Sequence, residues 1–499
     1  MALETERRTL EAEKLVGTRS AQVMARAEAL VPGAGRDAIE PLLADARLFI
    51  DSANIQRERV VIEGTVRCQA VYRQGEETAL RALTAQAPLS HVLEIPDAEP
   101  GMLVWARGEA VHAEARYENG HIVFQVACDL SAQVLELEPV ELITAVKGQE
   151  GLQERYSPVC SVKLAAEASE ATLLTESVSL PAALDARATL MDWAAPQVEE
   201  VTPDLGGVRV KGRVFVETLV ASGAAGRPGV LVRYPVALDQ LVELPEWLTG
   251  DVFAHVDIRD VRSRVEPGDE EGEMKLTCEI EACVRVLANV TDCADALADI
   301  YATRGAALDV EREDVELCSA AKRATLSEVV RGTVLIGENA PGVGTVLAVQ
   351  AQPSIGEWGM ENGQGRIVGV MELSVLYMPG GSELPASTEA ELPFSITSPV
   401  PLNDDSWIDI QVVSAEANAL MSDRLEVKLQ LNVTGETRQR ERIEVVEEVE
   451  PAEAPPRRPG IVVAWPGEGE TAWTLGKRYG VPADSLGEVE AGKPVIVKV

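Results

Sequence analysis

The sequence predicts a mainly β protein: three tandem β-rich domains followed by a small C-terminal α+β module of βααβ order. Three observations carry this. Segments that alternate apolar and polar residues with period two recur along most of the chain, as half-buried strands do. Three glycines, Gly64, Gly212 and Gly369, each sit inside such a segment and are followed by the same further landmarks. A strand, turn and helix pattern then closes the chain from Ile461 onward. At 499 residues the chain is too long for one core, and 46% apolar residues suffice to bury several.

Residues 1–30 are charged and helix-prone, with Leu10, Val16, Val23 and Leu30 forming a modest stripe. They are expected to form a helical segment packed on the first domain. No apolar signal-peptide core follows Met1 to Arg8, and no run approaches the roughly 18 apolar residues that span a bilayer.

The first anchor lies in Val61–Cys68, where Ile62, Gly64, Val66 and Cys68 share a face. The second lies in Val208–Val216 and the third in Arg366–Leu373. A related leader, Asp45–Ile50 and Asp185–Leu190, precedes the first two; Leu326–Val330 is all the third keeps. A proline flanked by apolar residues follows each glycine, at Pro88, Pro235 and Pro393. Candidate second strands come next, at Leu103–Ala106, Val252–Val256 and Trp407–Ile410, with Trp105 and Trp407 expected in the cores. Closing strands are expected at Ile122–Leu130, Met274–Ala282 and Leu425–Val433. The glycine spacings, 212 − 64 = 148 and 369 − 212 = 157, far exceed a solenoid repeat. Each copy is therefore expected to be a domain with its own core, over 31–150, 160–305 and 315–440.

Residues 441–459 are acidic and proline-rich and read as a semi-stiff linker holding the last module away from the β array. In residues 460–499, Ile461–Trp465 is a strand-length apolar run and Thr471 a helix N-cap. Gly480 stops the helix, a second short helix begins near Pro482, and Pro494–Val497 returns as a strand.

Composition narrows the function. With 45 basic against 81 acidic residues the formal charge is −36, which opposes nucleic-acid phosphates and anionic lipid. The seven cysteines include no CxxC pair and are expected as buried reduced thiols in a reducing compartment. The four histidines, His91, His112, His121 and His255, form no close metal pair. Gly363–Gly369 opens no helix and reads as a hairpin turn, not a phosphate loop. No GxxxxGK[ST] or GxSxG is present, and the paired acids Asp269–Glu271 and Glu447–Glu448 read as solvated loops. No cofactor, metal or catalytic residue is expected, and the protein is expected not to be an enzyme.

The tail resembles a LysM module. Three β domains followed by a C-terminal LysM resemble the SPOCS-domain coat assembly proteins of endospore formers, of the SipL type. That resemblance implies a mother-cell cytoplasmic protein at the forespore surface and spore coat. It implies docking through the LysM on the sporulation ATPase of the coat's basement layer, among other coat morphogenetic proteins. LysM modules usually hold N-acetylglucosamine polymers, so a cortex or wall peptidoglycan binder is the rival function. The loop Pro466, Gly467, Glu468, Gly469, Glu470 and Thr471 matches the groove-lining position and is the candidate partner- or glycan-binding site. Glu468–Thr471 carries an extra acid, and Gly487–Ala491 is short and lacks the usual asparagine. These departures favour protein docking over sugar. Trp473 resembles the family's helix-packing aromatic and is expected inside the module.

Overall fold

The computed structural model describes residues 3–33, 38–224, 226–244, 251–268, 273–337, 340–453 and 460–499. Eighteen of its strands fall into three sets of six. The first is β1 (Glu4–Leu30), β2 (Ile39–Gln56), β3 (Arg59–Gln74), β4 (Leu80–Glu94), β5 (Leu103–Glu118) and β6 (His121–Lys147). The second is β7 (Leu152–Leu180), β8 (Ala186–Asp204), β9 (Gly207–Ser222), β10 (Gly229–Glu243), β11 (Asp251–Pro267) and β12 (Met274–Ala302). The third is β13 (Ala307–Leu335), β14 (Val343–Glu361), β15 (Gln364–Pro379), β16 (Ala386–Thr397), β17 (Trp407–Met421) and β18 (Arg424–Ala452). Every set makes the same two antiparallel sheets: β1-β6-β5 and β2-β3-β4, then β7-β12-β11 and β8-β9-β10, then β13-β18-β17 and β14-β15-β16. Identical topology three times is the structural form of the repeat.

The anchor glycines share one cause. Gly64, Gly212 and Gly369 face Ile50, Val198 and Ile355, and in each case the facing strand skips register immediately afterwards, a β-bulge. The bulged backbone leans in. A Cβ would lie 2.3 Å from the Phe49 carbonyl oxygen, 2.1 Å from that of Gln197 and 2.3 Å from that of Ser354. Gly212→Ala is therefore expected to lower stability by about 1–3 kcal/mol through backbone displacement. A urea midpoint equal to that of the natural chain would contradict this. Pro88, Pro235 and Pro393 lie on the edge strands β4, β10 and β16, where a missing N–H breaks no ladder. Pro88 and Pro393 face the residue after the glycine, but Pro235 faces Phe215, two positions further on.

Residues 4–30, expected as a helix, form β1 instead. Their glutamates, alanines and arginines favour helix, but the buried side chains alternate at Leu10 and Ala12, and at Ala25 and Ala27. Pairing with β6 over the strand's whole length outweighs propensity. The same holds at the other end of the third unit. Residues 441–452, expected as linker, complete β18, with Val445, Val446 and Val449 buried and Glu444, Glu447 and Glu448 exposed between them. Residues 454–459 of that expected linker lie outside the described residues.

The units are not separate beads. Their sandwiches have their own cores, but six strands of 27 to 29 residues run on beyond them as three antiparallel ribbons, β1–β6, β7–β12 and β13–β18. These form a shared stalk. Corresponding residues meet inside it: Ile143, Leu297 and Val446, then Val146, Ile300 and Val449. A second shared cluster joins the sandwiches through the pairs Leu43/Val71, Met191/Leu219 and Ala348/Leu376. The later member of each pair is the seventh residue after its glycine (64 + 7 = 71, 212 + 7 = 219, 369 + 7 = 376). Around the rim, β4 touches β8, β10 touches β14 and β16 touches β2, so one kind of contact closes cyclically. The three units therefore surround a pseudo-threefold axis.

Trp105 and Trp407, expected in separate cores, lie at this junction. The Arg107 guanidinium stands 3.2 Å from the Trp407 ring centroid and that of Arg438 4.3 Å from the Trp105 centroid, a reciprocal cation–π exchange between first and third units. One cysteine expectation is also corrected. Cys160 and Cys293 face each other across β7 and β12 and form a disulfide over a sequence separation of 133. Cys68, Cys128, Cys278, Cys283 and Cys318 are free and buried, and burial pushes the thiols of Cys68 and Cys128 up to about 12 and about 11.

Candidate functional site

The C-terminal module comprises β19 (Ile461–Ala464), helix α1 (Ala472–Tyr479), a short 3₁₀ turn (Ala483–Leu486) and β20 (Val495–Lys498). Local chemistry sets each boundary. Thr471 caps α1 reciprocally with Thr474, each side-chain oxygen accepting from the other's backbone N–H, and Gly480 ends it in the left-handed region at φ 63°. Ala464, Leu475, Val481, Leu486, Val495 and Val497 make the core.

The six candidate site residues divide in role. Pro466 is buried, and its carbonyl accepts from Gly492 N at 2.9 Å, which ties the loop to the segment before β20. Glu470 accepts from Gly467 N at 2.9 Å and pairs with Arg478. Those two donors hold its carboxyl below the usual glutamate range. Thr471 is committed to the cap. Gly467, Glu468 and Gly469 form the exposed tip, with Gly469 at φ 80°. The loop is thus largely engaged in its own turn.

Trp473, expected inside the module, points out of it. Its ring meets Tyr301 of β12 edge to face at 4.9 Å, and its indole Nε1 donates to Asp299 Oδ2 at 2.8 Å. Lys477 and Arg312 bind the other oxygen of Asp299 at 2.5 and 2.8 Å. Tyr301 Oη donates to Val481 O at 3.0 Å, and a Cβ at Gly476 would fall 2.4 Å from that hydroxyl. The module therefore sits on the stalk tip. Sequence reasoning missed this seat because Asp299 and Tyr301 lie far from the tail in the chain and carry no motif.

Burial opposes the charge of Asp299, yet Lys477 and Trp473 together hold its carboxyl below its ordinary value of 3.8. A carboxyl depressed in the folded state contributes stability above its unfolded pKa and loses it as pH falls through the folded value. Docking should be complete at neutral pH and weaken below about pH 4. Asp299→Asn is expected to weaken the seat by about 1 kcal/mol at pH 7, seen as several-fold faster amide exchange over 472–481. Exchange unchanged by both acid and substitution would contradict the assignment.

The opposite face of the module is bare. Ile461, Val463 and Ile496 project from the β19–β20 face away from its core, and Trp465 follows in the same alternation. Ile461 is 72% exposed and Trp465 66%. Among the described residues no group of His, Cys, Asp or Glu could hold a metal, and no helix is long and apolar enough to cross a membrane.

Comparison with known proteins gives one finding. No curated protein and no solved structure matches the chain. Residues 39–118, from the start of β2 to the end of β5, match the family described as SipL, SPOCS domain. The match falls within the first six-strand unit, whose topology the other two repeat. The first unit thus carries a SPOCS domain of the SipL type, which connects the protein with sporulation.

Proposed function

We propose that the protein is a non-enzymatic scaffold of spore coat or envelope assembly at the mother-cell face of the forespore. Its LysM-like tail docks a morphogenetic ATPase of the coat's basement layer. The observation that carries this reading is the bare apolar face of Ile461, Val463, Trp465 and Ile496, presented by a module whose other side is already seated. Such a surface suits a protein partner. A sugar site needs several convergent polar groups, and Glu470 and Thr471 are already taken by the loop's own turn. Acidity of the chain adds to the case for a protein rather than an anionic surface as target.

The test compares the full chain with Val463→Glu/Ile496→Glu in pull-downs from sporulating-cell extract. Loss of the basement-layer ATPase from the doubly substituted protein is expected, with an unchanged melting profile. Equal retention would remove the docking assignment. Titration of the full chain with chitooligosaccharide is expected to be flat; saturable binding abolished by Glu468→Ala would transfer the site to N-acetylglucosamine polymers.

A further inference from the structure

The pseudo-threefold axis is not filled along its length. Between the sandwiches lies a cavity of about 840 Å³ lined from all three units, within the size range of small-molecule sites. Equivalent positions around it have diverged. Four residues before the bulges of β5, β11 and β17 stand Arg107, His255 and Asp409, and the bulge residues themselves are Val111, Arg259 and Val413. A bulge re-aims its extra side chain, and here the one charged bulge residue lines the cavity while remaining exposed, which places it at the mouth.

The lining arginines fall into two kinds. Arg107 and Arg323 share Glu436 at 3.5 and 3.7 Å, and Arg285 holds Asp257 at 3.7 Å. Arg47 and Arg259 also line the cavity; neither makes an ion pair within 4.0 Å among the described residues, although Arg47 acts at longer range on Asp45 and Asp192 and Arg259 on Asp257. Burial also pushes the Glu109 carboxyl up to about 8 and raises those of Asp45, Glu217 and Asp409, while Asp257, whose charge burial opposes, is held below its ordinary value by His255, Arg285 and Arg259.

We propose that the axial cavity binds a small polyanion, a di- or tricarboxylate or a phosphate ester. Its anionic oxygens would be held by Arg47 and Arg259. Planar guanidiniums favour such anions through paired, charge-assisted hydrogen bonds. This inference is independent of the docking function above.

The test is calorimetric titration of the full chain with citrate and, separately, with pyrophosphate, with uncharged maltotriose as control. Saturable binding of one or both anions at one site per chain is expected, and the anion preferred distinguishes carboxylate from phosphate chemistry. Arg259→Gln and Arg47→Gln should each weaken binding about tenfold or more. Arg259 is exposed, so its variant should fold normally and carries the test if Arg47→Gln does not. No binding of either anion, binding unchanged by Arg259→Gln, or equal binding of maltotriose would overturn the proposal.

Discussion

Glu13→Ala is expected to cost about 3–5 kcal/mol, because it strands a buried guanidinium. Glu13 is fully buried in β1 and Arg438 of β18 is 3% exposed. Arg438 Nη1 donates to both Glu13 carboxylate oxygens at 2.8 Å, and Arg440 donates to the Glu13 carbonyl at 2.5 Å. The second unit joins through Asn289, whose Oδ1 accepts from Arg438 at 3.4 Å, and through Leu164 N, which donates to Glu13 Oε2 at 3.4 Å. One carboxylate thus ties all three units together. Removing it leaves Arg438 charged, desolvated and without its carboxylate, with only Asn289 Oδ1 and the Trp105 ring beside it, whereas Glu13→Leu/Arg438→Met removes both charges together. The double substitution should recover most of the loss in a urea titration. A single-mutant loss under about 1 kcal/mol would mean that water replaces the carboxylate.

Leu219→Ala should cost about 2–5 kcal/mol, since Leu219 is fully buried where the three sandwiches meet. The form of the transition is as informative as its size. Leu219 packs in one cluster with Leu43, Val71, Ala348 and Leu376 from the other units. A cavity there weakens all three together, so calorimetry is expected to show the whole endotherm moving down as one. If the endotherm split, with part left at its original temperature, the units would be melting independently.

Much of this architecture was legible in the sequence. The triplication could be found because a bulge and its facing glycine impose the same steric demand three times, at Gly64, Gly212 and Gly369. Period-two alternation marked the starts of β6, β12 and β18, but not how far they run. Beyond Leu130, Ala282 and Val433 the strands pack partly on a shared stalk, where adjacent residues such as Leu142 and Ile143, or Val445 and Val446, are both buried and break the alternation. Helix propensity masked β1 because its pairs with β6, from Leu30↔His121 to Glu4↔Lys147, are 91 to 143 residues apart (121 − 30 = 91, 147 − 4 = 143), which no local window sees. The Cys160–Cys293 pairing and the Asp299–Trp473 seat were hidden for the same reason. Within the tail, Thr471 and Gly480 were readable as cap and stop because capping chemistry is local. Trp473 was not, since an indole packs equally well inside a small module or against a neighbour.

The cyclic rim contact also bears on how the protein behaves when cut. A head-to-tail interface with threefold closure is satisfied completely by three copies, and here one polypeptide supplies all of them. Among the described residues all three surfaces of this kind are therefore occupied within the intact chain. A fragment holding two units would expose the outer faces of β2 and β10, or their counterparts, as complementary ends. Such fragments would join end to end, closing into small rings or growing into open oligomers, so covalent linkage of the three repeats is what keeps the three sandwiches in one closed ring.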